Sequence, residues 1–336
     1  MDLAQFLVVC ILSFSGLSLR STVHATIEIM EEFFPQIEGN LTKITWAHAV
    51  NSKKLLNQTL EGDALMVEGD VILGRHSGDL NMSPMPMMGH PPTTESDLSL
   101  KDFLEIVSTA KTPRGIKLDF KSLEVFNASI PVLEEYIYKV THSIEFVPLW
   151  LNADIVSGPI NSKTKPVDAD FFLKACDEKF PNAVISVGWT TEMSEKNSVG
   201  GYTADHINNM TAALSRTRLI VPVTFAVRAG LAAQSRGALV SLIETSVPGT
   251  TLTIWMSNEN DPVSIPKLRC LMKTVGLNRT FIDVPDKIRQ NLDLAHIENA
   301  TCLPETGPDD GNHAVPVAQS FTLLLIAFAL SVFVSM

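Results

Sequence analysis

Two stretches of this 336-residue chain set acids and bases at the spacing a β-strand imposes. Glu68 and Asp70 lie two apart, as do Lys117, Asp119 and Lys121 in turn. Residues two apart on a strand share a face, so each set presents its charges to one side. His48, the Asn152 and Asp154 pair, and Arg228 stand near the ends of three further apolar runs. Three carboxylates gathered at one point repel and lose hydration, a cost that a divalent cation removes by taking their oxygens as ligands. Lys117, Lys121 and Arg228 nearby suit a substrate phosphate. His48, with a second histidine from the segment after Asp70, supplies a general base and a general acid. The chemistry implied is metal-assisted attack on a phosphodiester.

Such residues need a scaffold that brings distant strand ends together. The chain alternates short β-branched runs with longer amphipathic ones. Strand candidates are 43–49, 64–73, 115–121, 146–155, 183–190, 219–228, 251–257 and 280–284. Helical patterns follow each in turn, at 52–60, 97–110, 122–141, 168–180, 203–217, 230–246, 262–275 and 286–297. Phe103, Ile106, Val107 and Ala110 carry the helical period. Ser96-Asp97 and Asp168 suit helix caps. Eight such units with near-continuous apolar strands predict an α/β fold, a single (β/α)8 TIM barrel. The polar strand ends then meet at its C-terminal mouth, where such barrels build active sites. Residues 74–95, rich in Met and Pro, are too long for a plain connection and follow strand 2 on that face, so they read as a functional loop.

Composition removes other classes. Hydrophobic residues make up 45% and charged ones 19%, which fills a core and excludes a disordered chain. The formal charge is −11, with no run of Lys or Arg, so no nucleic-acid partner is expected.

The two ends speak for the outside of the cell. Residues 6–19 are apolar and Val23-His24-Ala25 has small-x-small character, so residues 1–25 read as a signal peptide. An N-terminal extension, 26–42, then leads to the barrel, 43–300, and a spacer, 301–320. The apolar tail 321–336, preceded by small residues from Asp309 to Asn312, fits a GPI-attachment signal. That reading sets the protein on the outer face of the plasma membrane, with a single-pass C-terminal helix or plain secretion as alternatives. Glycosylation sequons at Asn40, Asn57, Asn127, Asn209, Asn278 and Asn299 agree; a seventh, Asn81, is compromised by Pro84. Cys10 falls in the signal segment, leaving Cys176, Cys270 and Cys302. The expected disulfide joins Cys270 to Cys302.

His48-Ala-Val-Asn51, Glu68-Gly-Asp70-Val71 and Asp119-Phe-Lys121 resemble the barrel phosphodiesterases of the glycerophosphodiester phosphodiesterase and sphingomyelinase D type. The resemblance implies that Glu68, Asp70 and Asp119 ligate one divalent cation, Mg2+ foremost, with Mn2+ or Ca2+ as alternatives. It implies that Lys121 contacts phosphate and that His90, set in Gly-His-Pro-Pro, is the second catalytic histidine in preference to His76. Over residues 43 to 288 the chain is similar to the menorin family, through WAHAVNS, VEGDV, GHPP, GIKLDFK, LNAD, SVGWTT, PVTFAVRA and LTIW. That family shares the phospholipase-C-like barrel and is linked to patterning of sensory dendrites alongside an L1-type adhesion molecule. Where glycerophosphodiesterases follow the first histidine with Arg-Gly, this chain has Ala49-Val50, which puts a glycerophosphodiester substrate in doubt.

Two functions follow. One is an extracellular metal-dependent phosphodiesterase acting on a phospholipid-like headgroup. The other is a non-catalytic surface ligand that uses the barrel as a binding module. Asn152 joins Lys117, Lys121 and Arg228 as a candidate substrate or phosphate contact, and several of these residues have plainer roles as well: Lys117 as a buried ion-pair partner, Arg228 as the partner of Asp154, Asn152 as a loop support.

Overall fold

The computed structural model describes residues 26–79, 83–141, 147–160, 162–192, 200–219 and 221–304. The expected signal peptide, the GPI tail and most of its spacer lie outside these residues, as does Asn81. Among the described residues no helix is long and apolar enough to cross a membrane.

Ten strands form among the described residues: β1 (Trp46–Ala47), β2 (Met66–His76), β3 (Met85–Met88), β4 (Glu95–Ser96), β5 (Gly115–Phe120), β6 (Leu149–Ser157), β7 (Val184–Thr190), β8 (Thr224–Arg228), β9 (Thr251–Trp255) and β10 (Thr280–Asp283). Eight of them run parallel in the order β1-β2-β5-β6-β7-β8-β9-β10, with helices between, as a nearly closed (β/α)8 barrel. The first and last strands meet through side chains. Trp46 packs edge-on to Phe281 at 6.3 Å, and His48 bonds Asp283. The strands are buried on both faces, the outer one apolar beneath the helices and the inner one carrying most of the buried polar residues. Ser52, Ser99 and Asp168 cap the helices Lys53–Glu61, Leu100–Ser108 and Ala169–Lys179. The expected cap at Ser96-Asp97 thus moves to Ser99, because Ser96 is drawn into β4. The long helix expected over 230–246 is divided into Ala229–Ala232 and Arg236–Thr245.

The segment 74–95 departs from the expected loop. β2 outruns its barrel neighbour β5, and its free backbone is taken up by β3, antiparallel from Val71–Met88 to Gly74–Met85. β4 pairs with the end of β2 in parallel. Met87 and Met88 are fully buried, so the Met-rich run packs rather than projecting.

The N-terminal extension closes the other end of the barrel. Helix Thr26–Phe33 and two 3-10 turns bury Met30, Phe34, Ile37, Leu41 and Ile44. These pack against Met66, Trp150, Val184 and Phe281 at the strand beginnings. Polar chemistry is thereby left to the C-terminal mouth.

Asn57, Asn127, Asn209, Asn278 and Asn299 are exposed, whereas Asn40 is half-buried and its side chain caps a 3-10 turn by accepting from Thr42. A disulfide joins Cys270 to Cys302 across 5.4 Å between Cα atoms, and Cys176 is a buried free thiol.

Candidate active site at the barrel mouth

Register aligns the inward-facing polar residues. Asp70 lies opposite Asp119, Asp119 opposite Asn152, and Asn152 opposite Ser186, a single row across β2, β5, β6 and β7. Lys121 bridges the two acids, its Nζ 2.6 Å from Asp70 Oδ1 and 2.5 Å from Asp119 Oδ2. Asn152 Nδ2 donates to Asp119 Oδ1 at 2.7 Å and Ser186 Oγ donates to Asn152 Oδ1 at 2.6 Å. Asn51 holds Asp70 twice, donating to its Oδ2 at 2.7 Å and accepting from its backbone N–H at 2.9 Å. The resemblance offered Lys121, and sequence chemistry offered Asn152, as phosphate contacts. Lys121 holds two acids together at the mouth, and Asn152 is fixed on both sides as the support of Asp119.

Glu68 sits beside this row. Its Oε2 accepts from the Ala49 backbone N–H at 2.8 Å and lies 3.5 Å from His48 Nδ1. Ala49 adopts φ 55°, a conformation costly for a residue with a Cβ, and the bond to Glu68 helps hold it. Burial pushes the Glu68 carboxyl up to about 7, with the Asp70 charge adding to the rise and His48 opposing it. His48 Nδ1 is 2.9 Å from Asp283 Oδ2, and its ring stacks on Trp255 at 6.5 Å. Burial works to lower the His48 pKa, but the charges of Asp283 and Glu68 outweigh it and raise it to about 10. The same pairing holds Asp283 below the usual carboxylate range against its own burial. Burial also opposes ionisation of Asp119, yet Lys121 and Lys117 hold that acid low as well. Lys117 is buried with its Nζ 5.7 Å from the Trp46 ring centroid.

Two expected residues stand elsewhere. Arg228 is spent on Asp261, which it meets through Nε at 3.0 Å and Nη2 at 2.7 Å, and on Ser257 at 3.0 Å. Its guanidinium lies 5.2 Å from the Trp255 ring centroid. Asp154 is therefore not its ion-pair partner, and its charge is already countered. His90 is exposed, with Nδ1 2.7 Å from the Pro91 carbonyl, and no described contact joins it to the acids. His76 ends β2, half-buried. Trp189 is core, its indole N–H bonded to the His206 carbonyl, while Trp255 is only partly buried at the mouth.

The donor set suits a divalent cation. Glu68, Asp70 and Asp119 each offer an oxygen, and these lie within 4.8 Å of one another. Hard carboxylate oxygens are what Mg2+, Mn2+ and Ca2+ take. Charge agrees. Among the described residues, Glu68, Asp70, Asp119, Asp154 and Asp283 face only His48, Lys117 and Lys121, because Arg228 and Asp261 cancel each other. Fully ionised, that leaves two negative charges, the complement of one divalent ion.

Comparison with known proteins gives the lineage. Residues 40–289 match the family described as the menorin N-terminal domain. Protein FAM151B of Homo sapiens is 37% identical over 242 residues, which are 72% of this chain and 82% of that protein. A crystal structure provisionally described as a glycerophosphodiester phosphodiesterase, from Galdieria sulphuraria, superposes with a TM-score of 0.42 at 11% identity, covering 76% of this chain and 97% of that one.

Proposed function

The chain belongs to the menorin family, and from that footing we propose that it is an extracellular, membrane-anchored phosphodiesterase whose site takes a divalent cation, Mg2+ foremost. Its substrate class is a phosphodiester of the phospholipid-headgroup kind. The observation that carries this reading is the convergence of three carboxylates in a mouth that is short of two positive charges. When bound there, a divalent cation supplies polarisation of the phosphoryl oxygens and countercharge for the leaving oxygen. Lys117 and Lys121 make the mouth attractive to a phosphate. His48, held in one orientation by Asp283 and Trp255, gives its proton to the leaving oxygen from Nε2. An oxidising, extracellular setting is supported by the Cys270–Cys302 disulfide and by five exposed sequon asparagines.

Hydrolysis of a bis-aryl phosphate and a lysophospholipid panel, with Mg2+ or Mn2+, tests the activity. Asp70→Asn should abolish turnover while leaving expression and melting largely intact; hydrolysis that survives in it would sink the carboxylate assignment. Release from intact cells by a phosphatidylinositol-specific phospholipase tests the anchor.

One observation favours a second reading. Lys121 bridges Asp70 and Asp119 directly, a cross-braced arrangement that also suits a non-catalytic surface ligand, for instance of an L1-type adhesion molecule. Surface binding that persists in Asp70→Asn and His48→Ala, with no hydrolysis by the parent protein, would select it.

A further inference from the structure

We propose that Asp154 is the proton acceptor of the hydrolysis, working across the barrel mouth from His48. The proposal rests on the phosphodiesterase reading and assigns that site's second proton-transfer group, which the exposed His90 does not visibly supply.

Strand order sets the geometry. β6 is fourth among the eight barrel strands, while β10 is the eighth and β1 the first. In a ring of eight, the fourth strand faces the eighth. Asp154 on β6 and the pair of His48, just after β1, with Asp283 on β10 therefore flank Glu68, Asp70 and Asp119 from opposite sides. In-line displacement at phosphorus needs such an arrangement, because the attacking and leaving oxygens lie on opposite sides of the phosphorus.

Local structure aims the side chain. Asp154 shares the inward face of Asn152 and stands one step nearer the mouth. The β6–β7 ladder slips between Asp154 and Val156, an irregularity of the kind that re-aims side chains beside active sites. Its carboxyl also occupies room that only a glycine leaves. A Cβ added at Gly188 would lie 2.3 Å from Asp154 Oδ1. The other acids of the mouth are held, Asp70 and Asp119 by Lys121, Asp283 by His48, and Glu68 by Ala49. Among the described residues the Asp154 carboxyl enters no ion pair. The groups that face it are Asp119 and Lys117 from β5, Lys121 just after it, and Arg228 from β8, with Tyr202 nearby. Burial, then the Asp119 charge, push its carboxyl up to about 7, where a base accepts and releases a proton near neutral pH.

The step balances. As a water oxygen bonds to phosphorus, Asp154 takes one of its protons. The bond from phosphorus to the leaving oxygen breaks, and that oxygen takes the proton from His48 Nε2. One diester and one water yield a monoester and an alcohol, and the proton on Asp154 returns to His48 through solvent.

The test compares the purified protein with Asp154→Asn, Asp154→Glu, Gly188→Ala and His90→Ala, with Mg2+ and bis(4-nitrophenyl) phosphate as the probe. Asp154→Asn should lose roughly 100-fold or more in kcat. It should also lose the acidic limb of the kcat/KM profile, while its Mg2+-dependent rise in melting temperature matches the parent's. Asp154→Glu should recover part of the loss, and Gly188→Ala, which displaces the carboxyl, should fall in the same direction. A diester with an alkyl leaving group should show an equal loss, since a base acts on the attacking water. Three results would overturn the assignment. These are turnover in Asp154→Asn within about threefold of the parent, loss of its Mg2+ stabilisation, which would make Asp154 a ligand, or abolition in His90→Ala alone. A parent protein without turnover on any diester would remove the phosphodiesterase reading itself, and this proposal with it.

Discussion

Asp283 reaches His48 from 235 residues away, and that single contact decides what His48 can do. A carboxylate at Nδ1 fixes the tautomer and stabilises the imidazolium, so the ring is kept charged and able to donate. Asp283→Asn should lower kcat by roughly two to three orders of magnitude. Because Asp283 helps raise the His48 pKa, its removal should shift the alkaline limb of the pH–rate profile to lower pH, which stopped assays across pH 6 to 10 would read. An unshifted limb would mean that another group titrates there. The charged residues spaced to share a face, Glu68 with Asp70 and Asp119 with Lys121, were legible in the sequence because period-2 spacing is local. Asp283 was not, since Phe281-Ile282-Asp283 carries one acid and only barrel closure reveals its partner. Asp261 was missed for a similar reason: it lies in the connection after β9, and its pairing with Arg228 depends on how that connection folds back over the mouth.

At the scale of elements, the extension before the barrel behaves as part of the core. Leu41 is fully buried in the cluster beneath the strands, whereas Lys43 two residues on is exposed. Leu41→Ala should cost about 2–4 kcal/mol by loss of packing and the cavity left behind. Lys43→Ala should leave the midpoint where it is, since its bridge to Glu38 is solvent-screened. Denaturant midpoints at constant slope would check both, and equal midpoints for the parent and Leu41→Ala would mean that the extension is not docked. The eight strand-and-helix units could be read from periodicity, because burial on both faces gives long apolar runs. The hairpin over Met85–Met88 could not. A run of Met and Pro has no strand period, and it pairs only because β2 extends past β5 and leaves backbone groups to satisfy. The same limit hid the packing of the N-terminal extension, whose apolar residues are scattered over a short helix and two turns.

For the whole molecule, the mouth couples stability to pH and to metal. The Glu68 and Asp154 carboxyls have pKa values raised to about 7, so the folded state holds their protons more tightly than the unfolded chain does. Stability from these groups is complete below their unfolded values near 4 and is lost as pH rises through about 7. His48, raised to about 10, adds a loss that begins above its unfolded value near 6.5. Asp119 and Asp283, held low, work oppositely and only below about pH 4. The chelated protein should therefore melt at progressively lower temperature from pH 5 to pH 8. A divalent cation binds the ionised carboxylates and competes with their protons, so its stabilising effect should grow over the same range. Differential scanning calorimetry at pH 5, 6.5 and 8, with EDTA or with millimolar Mg2+, reads both trends. Divergence of the two curves toward high pH would tie the charge deficit of the mouth to a bound ion. Curves that stay parallel would mean that Lys117, Lys121 and His48 balance the acids by themselves, and that the barrel keeps its acidic cluster without metal.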